Sequence, residues 1–444
     1  MMWILLVILN GVLLYLPFSI YDLWFLLFPG LFMLLKYPSQ RHYFFTGFIF
    51  FFLSLRCVNI ASIEYGNINP FLSYAMFSVF SLFLTLYQMN LPLYMWTKLG
   101  SRKLWLLPIF YTLFEILRSY LPYGGFPWLI VGEILVYIPL VKYSLRFFTV
   151  YGGSMLLWYL IYLAFKRRFF ILLILLAFAS LVGLYAKNEI IKKLQFAHTI
   201  KVALVQTAVS QHEKLNEENF RNHTDEILSL VSEALKEKPD LVLLPESAFP
   251  FLFSDEYDKG REKLFELSYQ APILVGLIDI RDGMKPYNSA YLIKDAQVHG
   301  YYDKVRLLPI GEYMPFPFAF LKDIFSAISG LDYIHGNREL PITYKGIKIA
   351  TPICFEVAYW DLVKRLSKNA NLIAVLTNDG WFNDSDCSHQ HFVWAKIRAL
   401  ENEKFVLWVN NAGDTAIIDP FGNVVEKLPY MKRDILIYHV KLLQ

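Results

Sequence analysis

The chain has 444 residues, more than one ordinary compact domain holds, so at least two structural units are expected. It is 56% hydrophobic and only 18% charged, whereas soluble domains carry roughly 25% charged residues. This composition excludes a wholly soluble globular protein. The net charge of +4 is small and scattered, which excludes the basic stripe of a nucleic-acid-binding domain.

The acidic residues divide the chain into two parts. Only Asp22, Glu64, Glu115 and Glu133 come before residue 188, and all other acidic residues follow that point. Residues 1–187 are therefore predicted to form a membrane domain with about seven helices. Residues 200–444 are predicted to form a globular catalytic domain.

The membrane domain contains seven apolar segments, and a bilayer core needs about 20 apolar residues for each helical span. The predicted spans are 2–18, 22–36, 43–60, 71–95, 104–121, 147–165 and 168–186. The first is predicted to be a retained span, because it has neither the charged start nor the small-residue cleavage site of a secretory signal.

Loop charges predict the orientation of these spans, because Lys and Arg accumulate on the cytoplasmic side. The even-numbered loops carry most of the basic residues: Lys36, Arg41, Lys98, Arg102, Lys103, Lys166, Arg167 and Arg168. The N-terminus is therefore predicted to be cytoplasmic. After seven crossings, the globular domain is predicted to be extracytoplasmic.

The globular part alternates short β-branched runs with charged helical stretches, which predicts an α/β layered domain. The predicted strands are 202–206, 241–246, 273–278, 348–354, 372–379 and 405–411, and the predicted helices are 216–237, 257–269, 356–367 and 388–402. In open α/β sheets, ligands bind beyond the carboxyl ends of the strands. Glu246 and Cys354 stand at two such ends, and a third segment carries Lys304.

Each of these three residues alone has a plain structural explanation: a helix cap, a solvated lysine or a buried, inert cysteine. Together they supply the three requirements of acyl transfer. A thiol attacks an acyl carbon as the thiolate, which a neighbouring carboxylate can generate. A positive charge then stabilises the oxyanion of the tetrahedral intermediate.

Three segments carry a more specific resemblance. The runs LLPES, YYDKVRLLPIGEYMPF and TPICFE resemble the Glu–Lys–Cys signature of the nitrilase superfamily, with its αββα sandwich. Residues 377–402 and 410–422, together with the multi-span N-terminal part and its GGFPW loop, are similar to the bacterial apolipoprotein N-acyltransferases.

This resemblance implies that Glu246 is the general base, Lys304 stabilises the oxyanion and Cys354 is the nucleophile. It also implies that Glu312 and Glu356 are essential carboxylates. Further candidate substrate-binding residues are Asn288, Phe355, Trp381 and Trp128. The implied reaction takes an acyl chain from a membrane phospholipid as a thioester and transfers it to the α-amino group of a diacylglyceryl-modified N-terminal cysteine on a lipoprotein.

The same resemblance implies a multi-pass protein of the bacterial inner membrane whose catalytic domain faces the periplasm. A monomer is expected, because nothing in the sequence demands an oligomer. Neither a cofactor nor a metal is expected, since no glycine-rich nucleotide loop stands out.

Several interpretations remain open at the level of the sequence. The same triad would serve a membrane-tethered amidase in which water resolves the acyl-enzyme, and a catalytically silent scaffold is a third alternative. Arg398 and Glu401 are expected to form a surface pair. The three cysteines are interpreted as giving no disulfide framework. The aromatic segment 316–336 is a hypothetical lid that dips into the membrane and admits the acyl chain.

Overall fold

The computed structural model describes residues 2–99, 103–214, 216–281, 283–316 and 332–443. The chain divides into two compact units. The first contains residues 1–188 and 385–393, and the second contains residues 189–384 and 394–444. The domain limits inferred from the sequence, 1–187 and 200–444, stay predictions.

Polar residues and a proline mark the starts of two helices in the first unit. Ser39 accepts a hydrogen bond from the His42 N–H at 3.3 Å, and Asn69 caps the helix that begins at Pro70. Its helices are α1 Met2–Tyr15, α2 Leu27–Lys36, α3 Gln40–Leu55, α4 Pro70–Thr85, α5 Leu91–Lys98, α6 Leu107–Arg118 and α7 Leu145–Phe165, followed by α8 Phe169–Phe196, which continues into the second unit.

Within the described ranges, three helical segments are long and apolar enough to cross a membrane: Pro70–Lys98, Val141–Phe165 and Phe169–Phe196. Gln40–Leu55 and Val58–Tyr65, bent by 55° relative to each other, would make a fourth if they form one broken span. Met2–Phe18 and Trp24–Lys36 are shorter apolar helices. The chain therefore has the character of a membrane protein, and the count of seven spans stays a prediction.

The second unit contains two six-stranded sheets. Its helices are α9 Phe220–Lys236, α10 Lys259–Leu267, α11 Trp360–Ser367 and α12 Asp386–Asn402. Residues 386–393, at the start of α12, belong to the first unit. Its strands are β1 His198–Gln206, β2 Leu241–Leu243, β3 Ile273–Arg281, β4 Lys285–Lys294, β5 Gln297–Asp303, β6 Ile342–Tyr344, β7 Ile347–Ala350, β8 Leu372–Thr377, β9 Val406–Asn410, β10 Thr415–Ile418, β11 Val424–Leu428 and β12 Asp434–Leu442.

The sheet orders are β12-β1-β2-β3-β4-β5 and β11-β10-β9-β8-β7-β6. Each sheet has a parallel centre, β1-β2-β3 in one and β7-β8-β9 in the other, and its remaining pairs are antiparallel. Helix α9 packs its apolar face, including Ile227 and Val231, against Val205, Val242 and Ile273 of the first sheet. The predicted order, a helical region followed by an α/β domain, is confirmed, and the extracytoplasmic placement of the second domain stays a prediction.

Candidate active site

Glu246, Lys304 and Cys354 lie just beyond the carboxyl ends of three strands. Glu246 follows β2 by three residues, Lys304 comes immediately after β5, and Cys354 follows β7 by four residues. Since β2 and β7 both run in the parallel centres of their sheets, their loops emerge where α/β folds place ligands.

Lys304 and Glu246 meet in a buried polar cluster with Glu312 and Asn288. The Lys304 Nζ lies 2.8 Å from Glu312 Oε1 and 3.5 Å from Glu246 Oε1. The Asn288 amide donates to the same two oxygens, at 2.7 Å to Glu246 and 3.1 Å to Glu312. Burial would lower the pKa of Lys304, but Glu312, Glu246 and Cys354 together raise it well above its ordinary value. The lysine is therefore a permanent cation in this cluster.

Cys354 begins a one-turn 3-10 helix, Cys354–Ala358, with a left-handed backbone of φ 52°. A non-glycine residue in this region carries strain that the surroundings must hold. Burial and the nearby Glu246 raise the pKa of the Cys354 thiol well above its ordinary value, and Lys304 opposes them. At neutral pH the sulfur therefore rests as a thiol that needs a base.

Glu356 holds this turn against the segment that follows Lys304. Its carboxylate accepts hydrogen bonds from the N–H groups of Ile353 at 2.8 Å, Val305 at 2.7 Å and Arg306 at 2.9 Å. The Tyr302 hydroxyl donates to it at 2.9 Å. Burial raises the pKa of Glu356 to about 7. One carboxylate thus holds the backbone beside both Lys304 and Cys354, and its role in catalysis stays a prediction.

The expectation that Arg398 and Glu401 form a surface pair is wrong. The two side chains are paired and only 0% and 1% exposed. Arg398 donates to the carbonyls of Val357 at 2.6 Å and Ala358 at 2.8 Å. These carbonyls belong to the turn that begins at Cys354, and a buried carbonyl needs a donor. Arg398 is buried because it supplies those donors, and Glu401 is buried with it as its ion-pair partner. Helical spacing does not reveal this requirement.

The other residues singled out from the sequence occupy different surroundings. Phe355 is buried and makes an edge-to-face contact with Tyr359, while Trp381 is half-buried in the short turn Asp379–Trp381. Trp128 belongs to the first unit, where its indole N–H donates to Gln390 at 2.8 Å and its ring packs near His391. Their substrate-binding roles stay predictions. The lid hypothesis for 316–336 falls mainly on residues 317–331, which lie outside the described residues.

A disulfide joins Cys57 to Cys387, with their Cα atoms 5.9 Å apart, so the interpretation that the three cysteines give no disulfide framework is wrong. The two residues are 330 positions apart, and sequence spacing gives no sign of such a pair. Both belong to the first unit. The neighbouring Asp386 accepts hydrogen bonds from Tyr15 Oη and Ile20 N, each at 3.0 Å. Cys354 is therefore the free thiol of the three cysteines.

Sequence reasoning also missed Thr377 and Asp379, which stand at the carboxyl end of β8. The charge of Asp379 raises the pKa of the Cys354 thiol, and hydrogen bonding by the Thr377 side chain lowers it. The predicted strand 372–379 already ended on these residues. The rule that drew attention to Glu246 and Cys354, polar residues at strand ends, would have found them.

Comparisons with known proteins match both parts of the chain. A family model described as carbon-nitrogen hydrolase matches residues 201–443, and one described as apolipoprotein N-acyltransferase N-terminal domain matches residues 10–163. The chain is 44% identical over 432 residues to the apolipoprotein N-acyltransferase of Aquifex aeolicus (strain VF5), covering 97% of each. It is 25% identical to that of Pasteurella multocida (strain Pm70), covering 95% of this chain and 86% of that protein.

Solved structures resemble about half of the chain. Saccharomyces cerevisiae Nit3, a member of branch 10 of the nitrilase superfamily, is 20% identical with a TM-score of 0.43, covering 55% of this chain and 90% of that chain. A carbon-nitrogen hydrolase from Helicobacter pylori G27 is 16% identical with a TM-score of 0.42, covering 55% of this chain and 90% of that chain.

Proposed function

The chain belongs to the apolipoprotein N-acyltransferases, and we propose that Glu246, Lys304 and Cys354 perform its acyl transfer as base, oxyanion-stabilising cation and nucleophile. The observation that carries this assignment is the convergence of the three side chains: Lys304 lies 3.5 Å from Glu246 and interacts electrostatically with Cys354. The family assignment also decides against the amidase and scaffold alternatives, since the full-length relatives are named as acyltransferases.

In the first half-reaction, the acyl donor is a membrane phospholipid. Glu246 accepts the Cys354 proton as the sulfur attacks the ester carbonyl, and the new carbon–sulfur bond produces an oxyanion that Lys304 stabilises. Collapse of this intermediate breaks the bond between the carbonyl carbon and the glycerol oxygen. The proton held by Glu246 passes to that oxygen, so a lysophospholipid leaves and a thioester remains.

In the second half-reaction, the acceptor is the α-amino group of an N-terminal diacylglyceryl-cysteine on a lipoprotein. The amine attacks the thioester carbon, forming a carbon–nitrogen bond, and Lys304 again faces the oxyanion. The carbon–sulfur bond then breaks, and the amine's proton returns through Glu246 to the sulfur. Atoms and charges therefore balance without a cofactor.

The catalytic domain acts on the periplasmic side of the inner membrane, as a monomer. Two independent observations support this side. The loop charges favour an extracytoplasmic position for the chain after the seventh predicted span. Disulfides persist in oxidising compartments, and one joins Cys57, near the outer end of the predicted span 43–60, to Cys387 of the predicted extracytoplasmic domain.

Intact-protein mass spectrometry tests the first half-reaction. The detergent-purified chain is incubated with phospholipid alone, beside Cys354→Ala. We expect a hydroxylamine-labile mass increase of one fatty acyl chain that the variant lacks and that a diacylglyceryl-cysteine peptide removes. A folded wild-type protein that gains no acyl mass with any of several phospholipids would contradict the proposal.

A further inference from the structure

Thr377, the last residue of β8, lies beside the reactive sulfur because of strand pairing. Ile353 and Leu376 form a parallel β-bridge, so the next residues along the two segments, Cys354 and Thr377, emerge side by side. Thr377 is 0% exposed, and hydrogen bonding by its side chain is among the influences that lower the pKa of the Cys354 thiol. A hydroxyl is thus buried against the reacting atom of the proposed site.

The same hydroxyl has a second partner. The Thr377 Oγ1 lies 3.3 Å from Asp379 Oδ1. Asp379 is itself immobilised by Asn410, whose amide donates to Asp379 Oδ2 at 2.6 Å and whose Oδ1 accepts from the Asp379 N–H at 3.0 Å. A threonine hydroxyl has one proton to donate. It can therefore serve the carboxylate or the sulfur as donor, but not both.

We propose that Thr377 is a further catalytic residue, which donates its hydroxyl proton to the Cys354 sulfur in the thiolate state and to Asp379 in the thiol and thioester states. This inference rests on the proposed role of Cys354 as nucleophile. The O–H bond rotates and stays intact, so no proton is transferred to or from Thr377. The Asp379 carboxylate accepts the Thr377 hydrogen bond while the sulfur is uncharged, and the sulfur accepts it when the sulfur is a thiolate.

The charges around Cys354 explain why such a donor matters. Glu246 and Asp379 are carboxylates that disfavour a thiolate, and Lys304 is the cation that favours it. Glu356, on the same turn, is held by backbone N–H groups and Tyr302. A hydrogen bond to a charged acceptor is stronger than one between neutral groups, so Thr377 favours the anion without adding a further charge.

Pulse alkylation with iodoacetamide between pH 7 and pH 11 measures this effect on the full, non-reduced chain. Because Cys57 and Cys387 are joined, adducts report on Cys354. We expect Thr377→Val to raise the midpoint of the rate profile by about one pH unit, and Thr377→Ser to restore it. The control Thr224→Val removes a buried hydroxyl that bonds Phe220 O in a helix, and it should leave the midpoint in place.

Asp379→Asn is expected to shift the alkylation midpoint in the opposite direction. It therefore tests the inference even if Thr377→Val misfolds. It removes the competing acceptor and one negative charge, so the alkylation midpoint should fall. The inference would be overturned by a Thr377→Val midpoint equal to that of the wild type, even if the maximal alkylation rate fell. It would also be overturned if Asp379→Asn raised the midpoint. Alkylation needs no phospholipid, so the two proposals can fail separately. If the variants shift the alkylation midpoint but the wild type forms no acyl adduct, the phospholipid half-reaction is disproved and the hydrogen bond from Thr377 to the thiolate is supported.

Discussion

The Nζ atom of Lys304 lies 2.8 Å from Oε1 of Glu312, closer than it lies to any atom of the proposed base. Glu312 is itself fixed, because its Oε2 accepts from the Leu308 N–H at 2.8 Å. The two carboxylates therefore have different roles. Glu312 holds the cation, and Glu246 remains available to accept a proton.

Glu312→Gln should therefore slow thioester formation by at least tenfold. Without the Glu312 charge, Glu246 becomes the main anionic partner of Lys304, and a closer cation makes it a weaker base. The rate is measured as acyl mass gained per minute with phospholipid alone. Glu339→Gln is the matched control, because Glu339 pairs with Arg365 on the surface of the domain. Equal rates in the two variants would contradict the assigned role of Glu312.

Glu356 should make the stability depend on pH in a defined direction. Its pKa is raised from 4.5 to about 7 in the folded chain. The folded state therefore binds more protons than the unfolded state between these values, and the free energy of unfolding falls as the pH rises through that window, by about 3 kcal/mol at most. Thermal unfolding at pH 4.5 to 8 measures this slope.

The comparison variant is Glu356→Gln, which does not titrate. It should be less stable overall, because one acceptor oxygen is replaced by an amide that faces N–H groups. Its unfolding should lack the wild-type decline between pH 4.5 and pH 7. Parallel curves for the two proteins would show that the titration of Glu356 contributes nothing.

Arg398→Met should destabilise the chain by about 3–5 kcal/mol, because it removes the cation that forms an ion pair with the buried Glu401 carboxylate. The double variant Arg398→Met/Glu401→Leu removes both charges and should recover most of that loss in thermal unfolding. Thioester formation in the double variant should nevertheless remain about tenfold slower than in the wild type, because the Val357 and Ala358 carbonyls have lost their charged donor. A double variant that acylates at the wild-type rate would restrict the pair to a structural role.

The disulfide predicts one reactive thiol for each unfolded, non-reduced chain and three after reduction. Cys57→Ser should expose a second thiol, at Cys387, and lower the stability by about 2–4 kcal/mol, since the cross-link closes a long loop. Cys354, which belongs to the second unit, should still form its thioester in the folded variant. Thiol counting on cells quenched in acid measures the native state, and three reactive thiols there would argue against an oxidising compartment.

The sequence by itself predicted the elements that local pattern controls. Apolar runs of the right length identify helices and buried strands, because the period of the pattern follows from the backbone geometry of each element. The predicted helix at 216–237 is observed as Phe220–Lys236, and the run 372–379 contains β8. Strand ends also drew attention to Glu246 and Cys354. The antiparallel strands β4, β5, β6, β10, β11 and β12 were absent from the prediction, because most of them mix polar and apolar residues and depend on their neighbours for pairing.

Only the tertiary structure decided which distant groups meet. Cys57 and Cys387 are joined across 330 residues, Arg398 is buried beneath the turn of Cys354, and Thr377 reaches the sulfur through a bridge between two segments. Local periodicity reports which face of an element is apolar, but not what covers that face. The sequence pattern of a buried polar residue on a helix is therefore the same as that of a solvated one. Only the tertiary structure shows the carbonyl, charge or thiol that it contacts and that accounts for its burial.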